Sequence, residues 1–319
     1  MFNSILNQMI VLLAFIVVGF ILSKFKFIPE NSAKTISKLE NIVFVPALVI
    51  STFINNCTIE VLSSVGKLVL LGTILVVILI PISILVAKLC FKEKYLQNIA
   101  TYGLAFSNFA FMGNAVMIAV FPEIFFEYTV FVLPFWVMIY LWGVPVLLIS
   151  GSDGDKNVTF KSRLKSFLNP MLISMFIGLI LGISGLGKCL PTGITSALKI
   201  GADCMSPLAM LLTGITIGNS NVLKLLKKWK IYLTCFIRLI VYPLFAIGVV
   251  ALLPQNEFFT QTFFRCFVCM MAMPMGLNAI VIPAGYGKDT TDAAGFALVS
   301  HVLSVLTIPL MFEILSFIA

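Results

Sequence analysis

The stretch AMPMGLNAIVIPAGYG, at residues 272–287, interrupts a long apolar run with two prolines, three glycines and an asparagine. Pro274 and Pro283 each remove a backbone donor and clash with the preceding turn, so the stretch predicts a broken helix. Broken backbone at membrane depth is tolerated only where protein buries it or where it lines a wet cavity. A second stretch, SNFAFMGNAV at residues 107–116, carries a similar interruption. We interpret the two stretches as halves of one site.

The composition is that of a polytopic membrane protein. Of the 319 residues, 60% are hydrophobic and 11% are charged, whereas a soluble domain carries about 25% charged residues. The net charge of +8 does not indicate a nucleic-acid partner, because the basic residues lie between apolar runs. The lipid bilayer is the expected partner. Scattered cysteines and a single histidine predict no metal and no other cofactor.

Ten segments are long and apolar enough to cross a bilayer, which takes about 20 helical residues. The predicted fold class is therefore an all-α polytopic membrane protein with ten transmembrane helices. The predicted spans are 5–25, 34–54, 66–90, 97–121, 128–150, 169–187, 195–218, 231–253, 259–285 and 292–317.

Lysine and arginine predict the orientation of these spans. The loops after odd-numbered spans are rich in both residues, whereas the loops after even-numbered spans hold only Lys67 and Lys188. Positive residues mark the cytoplasmic side of a membrane protein. We therefore expect a multi-pass protein of the cytoplasmic membrane with both termini outside.

A polar loop divides the chain into two halves of five spans. Residues 151–168 are the predicted cytoplasmic linker between a first repeat at 1–150 and a second repeat at 169–319. Because five is odd, homologous halves would lie inverted in the membrane. Four of the six first-half prolines have a partner 161 to 164 residues later, and Asn114 matches Asn278 in the same register. This pattern predicts a 5+5 inverted repeat in which spans four and nine are equivalent.

Spans four and nine are the predicted substrate site. Half-helix N-termini at such breaks offer free N–H groups and a positive dipole end to an anion. Glycines let the backbone approach a ligand, and Pro274 would expose carbonyls near Met270 to a cation. The alternative is that the small residues only allow close helix packing. The predicted substrate-binding residues are Asn108, Gly113, Asn114, Pro274, Gly276 and Asn278, with Arg265 added for charge pairing.

Ionisable residues inside other spans are costly and are therefore functional candidates by default. Asp203 and His301 are the candidates for a coupling-ion site. For Asp203 the alternative is an ion pair with Lys199, four residues earlier on the same helix. For His301 the alternative is a hydrogen bond that serves helix packing.

Other charged residues near span ends have simpler interpretations. Arg265 either neutralises an anionic substrate or snorkels to the outer interface, and Arg238 is predicted to snorkel to the cytoplasmic face. Lys38 and Glu40, near the start of span two, are predicted interface charges. No metalloprotease, hydrolase or Walker motif is present. The sequence therefore predicts no enzyme and no ATP-driven pump.

The chain resembles bacterial members of the auxin efflux carrier family, which includes malate and malonate permeases and is related to plant auxin exporters. The likeness extends over essentially the whole length. It rests on Asn108, Phe111, Met112 and Gly113 in span four, then on residues 274–278, Tyr286, Gly287 and Asp289, and on SVLTIP at 304–309.

The resemblance implies a fold similar to that of bile acid/sodium symporters, with spans one, two, six and seven as a scaffold and broken, crossed helices four and nine. It implies a secondary active transporter of a small organic anion, of the carboxylate class, that works by alternating access. The alternatives are a sodium-coupled symporter of the bile acid type and a membrane sensor that binds a ligand without transporting it. Coupling to H⁺ or Na⁺, the direction of transport and homodimerisation stay open.

Two residues depart from the family pattern. Ala115 stands where proline is usual, so the break in span four must depend on Gly113, Asn114 and their neighbours. His301 stands where a small hydroxyl residue is usual. Spans four and nine contain no acidic residue, so their residues do not support sodium coupling.

Overall fold

The computed structural model describes residues 2–57, 59–149, 170–219, 226–227, 229–285 and 290–318. Every regular element over these residues is a helix, and the one strand-like pairing among them is an isolated antiparallel bridge. The predicted all-α class is confirmed. The predicted linker at 151–168 and the family residues Tyr286, Gly287 and Asp289 lie outside the described residues.

The α-helices are α1 (Phe2–Lys24), α2 (Ser32–Leu39), α3 (Val45–Asn56), α4 (Ile59–Cys90), α5 (Lys94–Ala105), α6 (Asn114–Val120), α7 (Phe125–Phe131), α8 (Leu133–Met138), α9 (Pro170–Ile183), α10 (Thr192–Asn219), α11 (Trp229–Phe236), α12 (Tyr242–Leu252), α13 (Gln261–Ala272), α14 (Asn278–Gly285) and α15 (Thr291–Ser316). Wider π-helical turns lie at Glu40–Phe44, Phe109–Gly113, Ile139–Ile149 and Ile237–Val241, and short 3-10 helices at Pro122–Ile124 and Leu186–Cys189.

Six helices in the described part of the chain are long and apolar enough to cross a membrane. A seventh span is counted if Pro122–Phe131 and Leu133–Leu148, which meet at 42°, are taken as one. Predicted spans four, six and nine contain shorter apolar helices instead. The predicted interruption of span nine is present, since α13 ends at Ala272 and α14 begins at Asn278.

Close glycine contacts hold together helices from distant parts of the sequence. A Cβ atom on Gly19 of α1 would lie 2.1 Å from the Leu211 carbonyl oxygen of α10, and one on Gly214 would lie 2.0 Å from that of Ile16. Helix α9 packs against α3, and Gly182 there makes a similarly close contact. Small residues let membrane helices approach backbone to backbone. These contacts join the helices of predicted spans one, two, six and seven.

The structure corrects the interpretation of two charged residues. The side chains of Glu40 and Arg238 do not reach the protein surface, as snorkelling or an exposed interface charge would require, because both residues are fully buried with 0% exposed surface. Each lies in a π-helical turn, which rotates the helical face that follows it and is frequent at functional sites. Distance from a helix end therefore gives the depth of these residues but not the direction of their side chains. Lys38 is exposed, as predicted.

Candidate functional site

The two interrupted stretches meet through their backbones. After α5 ends, the chain runs extended, and the Asn108 N–H donates to the Pro274 carbonyl at 2.8 Å. After α13 ends, the Gly276 N–H donates to the Phe106 carbonyl at 3.0 Å. These two bonds flank an antiparallel bridge between Ser107 and Met275. The two segments predicted as one site are therefore in direct contact, and we refer to residues 106–108 and 274–276 as the crossing.

Gly276 is required at the crossing because of its close approach to the other segment. A Cβ atom there would lie 2.7 Å from the Phe106 carbonyl oxygen and 3.1 Å from that of Ser107. Real Cβ atoms do not come so close to backbone, so a side chain would push the two segments apart. The carbonyl of Pro274 accepts one of the two bonds of the crossing, and its missing N–H ends α13.

Asn108 is held by the histidine of α15. Its side-chain amide nitrogen lies 2.9 Å from His301 Nε2, and His301 Nδ1 lies 2.8 Å from the Ala297 carbonyl oxygen. A carbonyl only accepts, so Nδ1 carries the imidazole proton and Nε2 accepts from Asn108. The Asn108 Oδ1 atom is buried without a hydrogen-bond partner among the described residues. The His301 ring thus makes a hydrogen bond between helices, which was the alternative to a coupling-ion role, and it makes this bond at the crossing.

Arg238 is the functional candidate that the sequence analysis missed. Its guanidinium donates three hydrogen bonds to backbone carbonyls, with Nη1 at 3.0 Å from Leu104, Nε at 3.0 Å from Met273 and Nη2 at 2.8 Å from Met270. Leu104 and Met270 lie in the last turns of α5 and α13, where helix dipoles are negative. No described carboxylate forms an ion pair with Arg238. A buried positive charge thus fastens both helix ends to the crossing.

The backbone carbonyls near Met270, which were expected to face a cation, already accept hydrogen bonds from side chains of this chain. The Met270 carbonyl accepts from the Ser107 hydroxyl at 2.9 Å as well as from Arg238. The proline break exposes these carbonyls, as predicted, but the chain supplies its own cation for them. The signal that could have found Arg238 is its charge within the apolar run 231–253, where an ionisable residue is a functional candidate by default.

Asn114 and Asn278, the pair predicted from the repeat register, both lie in the helices that follow the crossing. Asn278 begins α14, whereas Asn114, in α6, continues without a break from the π-helical turn that precedes it. Both are buried, with 8% and 6% of their surface exposed. The Asn114 side chain makes no hydrogen bond within the described ranges, and Asn278 lies beside the Tyr102 hydroxyl, which has no hydrogen-bond partner there either. We refer to residues 107–116 and 272–287 as the first and second arms of the crossing. Each arm thus brings an amide with spare hydrogen-bonding capacity to the site.

The first arm breaks without a proline. The π-helical turn Phe109–Gly113 takes the place of a proline kink, which explains how the arm tolerates Ala115. A Cβ atom on Gly113 would lie 2.2 Å from the Tyr128 hydroxyl, which donates to the Phe109 carbonyl at 2.9 Å. Gly113 therefore makes room for a tyrosine that supports the turn, a packing role beside the predicted ligand contact.

Two predicted residues lie apart from the crossing. Arg265 forms a 3.4 Å ion pair with Glu123, and its guanidinium lies 4.7 Å from the centre of the Phe121 ring. Asp203 forms the expected i to i+4 ion pair with Lys199 at 3.2 Å, with both side chains largely exposed. The geometry gives both charges local partners at the surface.

Comparison with known proteins agrees with the resemblance seen in the sequence. The membrane transport protein family matches residues 4–312, nearly the whole chain. A comparison with curated proteins found no match. Together with its several apolar helices, the family match makes the chain a multi-pass membrane protein and a membrane transporter. The chain belongs to the membrane transport protein family, the auxin efflux carrier family that its motifs predict.

Proposed function

We propose that this transporter moves a small organic anion, of the carboxylate class, across the cytoplasmic membrane by alternating access, and that the anion binds at the crossing. The observation that carries the proposal is the Ser107–Met275 bridge. It brings two helix breaks together, with the helical segment Phe109–Val120 beginning two residues after Ser107 and α14 beginning three residues after Met275.

The charges around the crossing favour an anion. The first amides of a helix have no acceptor within that helix, and the N-terminal end of the helix carries a partial positive charge. Arg238 adds a buried positive charge that no described carboxylate neutralises. Asn114 and Asn278 offer amide donors for carboxylate oxygens. In this proposal Arg238 supplies the buried positive charge near the site, while Arg265 stays paired with Glu123 at the surface.

The proposed architecture is a 5+5 inverted repeat of ten spans, similar to the bile acid/sodium symporter fold, with residues 1–150 and 169–319 as the two repeats. Two features support it: the antiparallel sense of the bridge and the contacts among α1, α3, α9 and α10. In this arrangement α1, α3, α9 and α10 form the scaffold, and the crossing moves against it. Both termini lie outside.

Uptake of radiolabelled malate and malonate into proteoliposomes tests the proposal. We expect the Asn114→Ala and Asn278→Ala variants each to reduce the rate at low substrate concentration by about tenfold, which corresponds to about 1.4 kcal/mol. Asn31→Ala is the matched control, because Asn31 is an exposed asparagine outside the crossing. The proposed site fails if both variants are folded and transport at the control rate.

The same vesicles separate the alternatives. A sensor that binds its ligand without transporting it would show binding and no flux. A symporter of the bile acid type would require a sodium gradient for uptake. Uptake that proceeds without sodium and depends on both asparagines supports the organic anion carrier.

A further inference from the structure

Glu40 stands out among the groups that the proposed site does not use. Of the acidic side chains whose burial is described, Glu40 alone is buried, with 0% of its surface exposed. Neither carboxyl oxygen has a hydrogen-bond partner in the part of the chain that the structure describes. It lies about 12 Å along its span from the start of α2, at 1.5 Å per residue. Glu40 is thus about two helical turns inside its candidate span.

A carboxylate in such surroundings has to be neutralised. Burial of an unpaired charge is strongly unfavourable, and the group takes up a proton or a cation instead. No described basic residue forms an ion pair with Glu40. The titratable or charged groups on the elements packed against it are Lys34 and Lys38 of α2, which are exposed, and Lys199, Asp203 and Cys204 of α10.

None of these groups neutralises the Glu40 carboxylate in place of a proton. Lys199 and Asp203 pair with each other at the surface. Helices α3, α9 and α14 contribute no titratable side chain within their described residues. A metal cation would need several further oxygen ligands. The backbone carbonyls of Ser37 and Val281 on this face already accept hydrogen bonds, from Asn41 and from the Ser37 hydroxyl.

Glu40 also lies where the proposed moving part meets the scaffold. It opens the π-helical turn between α2 and α3, and this turn packs against α10 and α14. One helical turn earlier, the buried Ser37 hydroxyl donates to the Val281 carbonyl of α14. Helix α14 is the half-helix that follows the crossing. Movement of α14 away from α2 would therefore open the Glu40 carboxyl to water.

We propose that Glu40 is a proton-binding site that couples proton movement to the transport cycle. With α14 against α2, as here, the carboxyl is protonated. When that contact opens, the O–H bond breaks, the proton passes to water on the open side, and a carboxylate remains. In the opposite half of the cycle the carboxylate takes up a proton from the water on the other side of the membrane, and α14 then closes against α2. This inference rests on the proposed function, because it assigns the coupling ion to that transport.

Infrared difference spectroscopy tests proton binding without any transport. In a pH titration of the purified protein in lipid, wild type should show the carbonyl band of a buried protonated carboxylic acid. The Glu40→Gln variant should lack this band, and Glu30→Gln, which changes an exposed carboxylate, should keep it. A band that persists in Glu40→Gln overturns the inference. If sodium removes the band at constant pH, Glu40 binds a metal cation in place of the proton, and the inference is overturned.

Transport measurements then test coupling. In proteoliposomes, a pH gradient should drive anion accumulation by wild type and by Glu30→Gln. Glu40→Gln, the neutral isostere of the protonated acid, should exchange anion at equilibrium but show no response to the gradient. Glu40→Asp keeps the acid and should retain the response with a shifted pH profile, which also covers the case that glutamine impairs folding. A gradient response in folded Glu40→Gln refutes the coupling role.

The two proposals fail in different ways. If wild type transports no organic anion, the proposed function is wrong, while the infrared band still reports on Glu40. If wild type transports the anion and Glu40→Gln remains coupled to the pH gradient, the proposed function stands and the assignment of Glu40 is wrong.

Discussion

The Asn108 side chain donates a hydrogen bond to Nε2 of His301 at 2.9 Å and thereby ties the first arm of the crossing to α15. One turn later on α15, the Ser304 hydroxyl lies 3.9 Å from the Met112 sulfur. The last long helix of the chain thus faces the first arm with two polar residues. His301 is therefore part of the support of the crossing.

Replacement of His301 by alanine should weaken this support. The variant leaves the buried Asn108 amide without its acceptor and opens a cavity, and we expect a loss of about 2–4 kcal/mol in the free energy of unfolding. His301→Gln places an oxygen acceptor near the position of Nε2 and should recover part of that loss. Thermal unfolding in detergent and malate uptake check both variants. Equal stability of the alanine variant and wild type would contradict the structural role of the bond.

A methyl group at Gly276 should disturb the crossing. Its nearest neighbours are backbone carbonyl oxygens, which cannot turn away as a flexible side chain can. We expect Gly276→Ala to lower the free energy of unfolding by about 1–3 kcal/mol and to reduce uptake. Gly248→Ala is the control, because a Cβ atom there meets nothing within 4 Å. If the two variants behave alike, the close approach of the two segments is not needed.

Loss of the Arg238 guanidinium should affect both stability and transport. Arg238→Met removes a donor from three buried carbonyls, of which Met270 keeps its bond from Ser107, and we expect a cost on the order of 3 kcal/mol. Arg238→Lys keeps the charge but reaches fewer carbonyls, so it should bind the anion better than the methionine variant while remaining less stable than wild type.

Arg265→Met is the control for the loss of an arginine. Its partly exposed pair with Glu123 is worth at most about 1 kcal/mol. A dicarboxylate thermal-shift series on all three variants gives both readouts. Retention of full anion binding by folded Arg238→Met would remove Arg238 from the proposed site.

The crossing can be tested by a disulfide. Ser107 and Met275 face each other as a pair without mutual hydrogen bonds, and in such pairs the Cα atoms lie about 4.5 Å apart, within disulfide range. In a background without the seven native cysteines, Ser107→Cys with Met275→Cys should cross-link within the chain on oxidation. Peptide mass spectrometry identifies the link, and the single variants are controls. Absence of the link under oxidising conditions would count against the bridge.

The sequence was a good guide to the interruptions and to their pairing. Pro274 and the glycines around it predicted the break after α13, and the register of Asn114 with Asn278 pointed to two buried residues in the helices that follow the crossing. These signals are local, because proline and glycine act on the backbone at their own positions. The bond between Asn108 and His301 has no such signal, since it depends on how distant helices pack.

Glu40 and Arg238 show why the rest could not be predicted. Both lie a few turns from a span end, where snorkelling to the interface is the simplest expectation. The π-helical turns that hold them cannot be recognised from composition, and each turn changes which face of the helix meets its neighbours. The burial of these two charges is a property of the packed helices.

The glycine contacts between α1 and α10 bear on how the protein is made. Gly19 fits only against the Leu211 carbonyl of a helix that the ribosome produces after the whole first half. Until α10 enters the bilayer, α1 must rest against lipid or an insertion factor. A truncated first half should therefore be a substrate for membrane proteases, and co-synthesis of the second half as a separate chain should protect it.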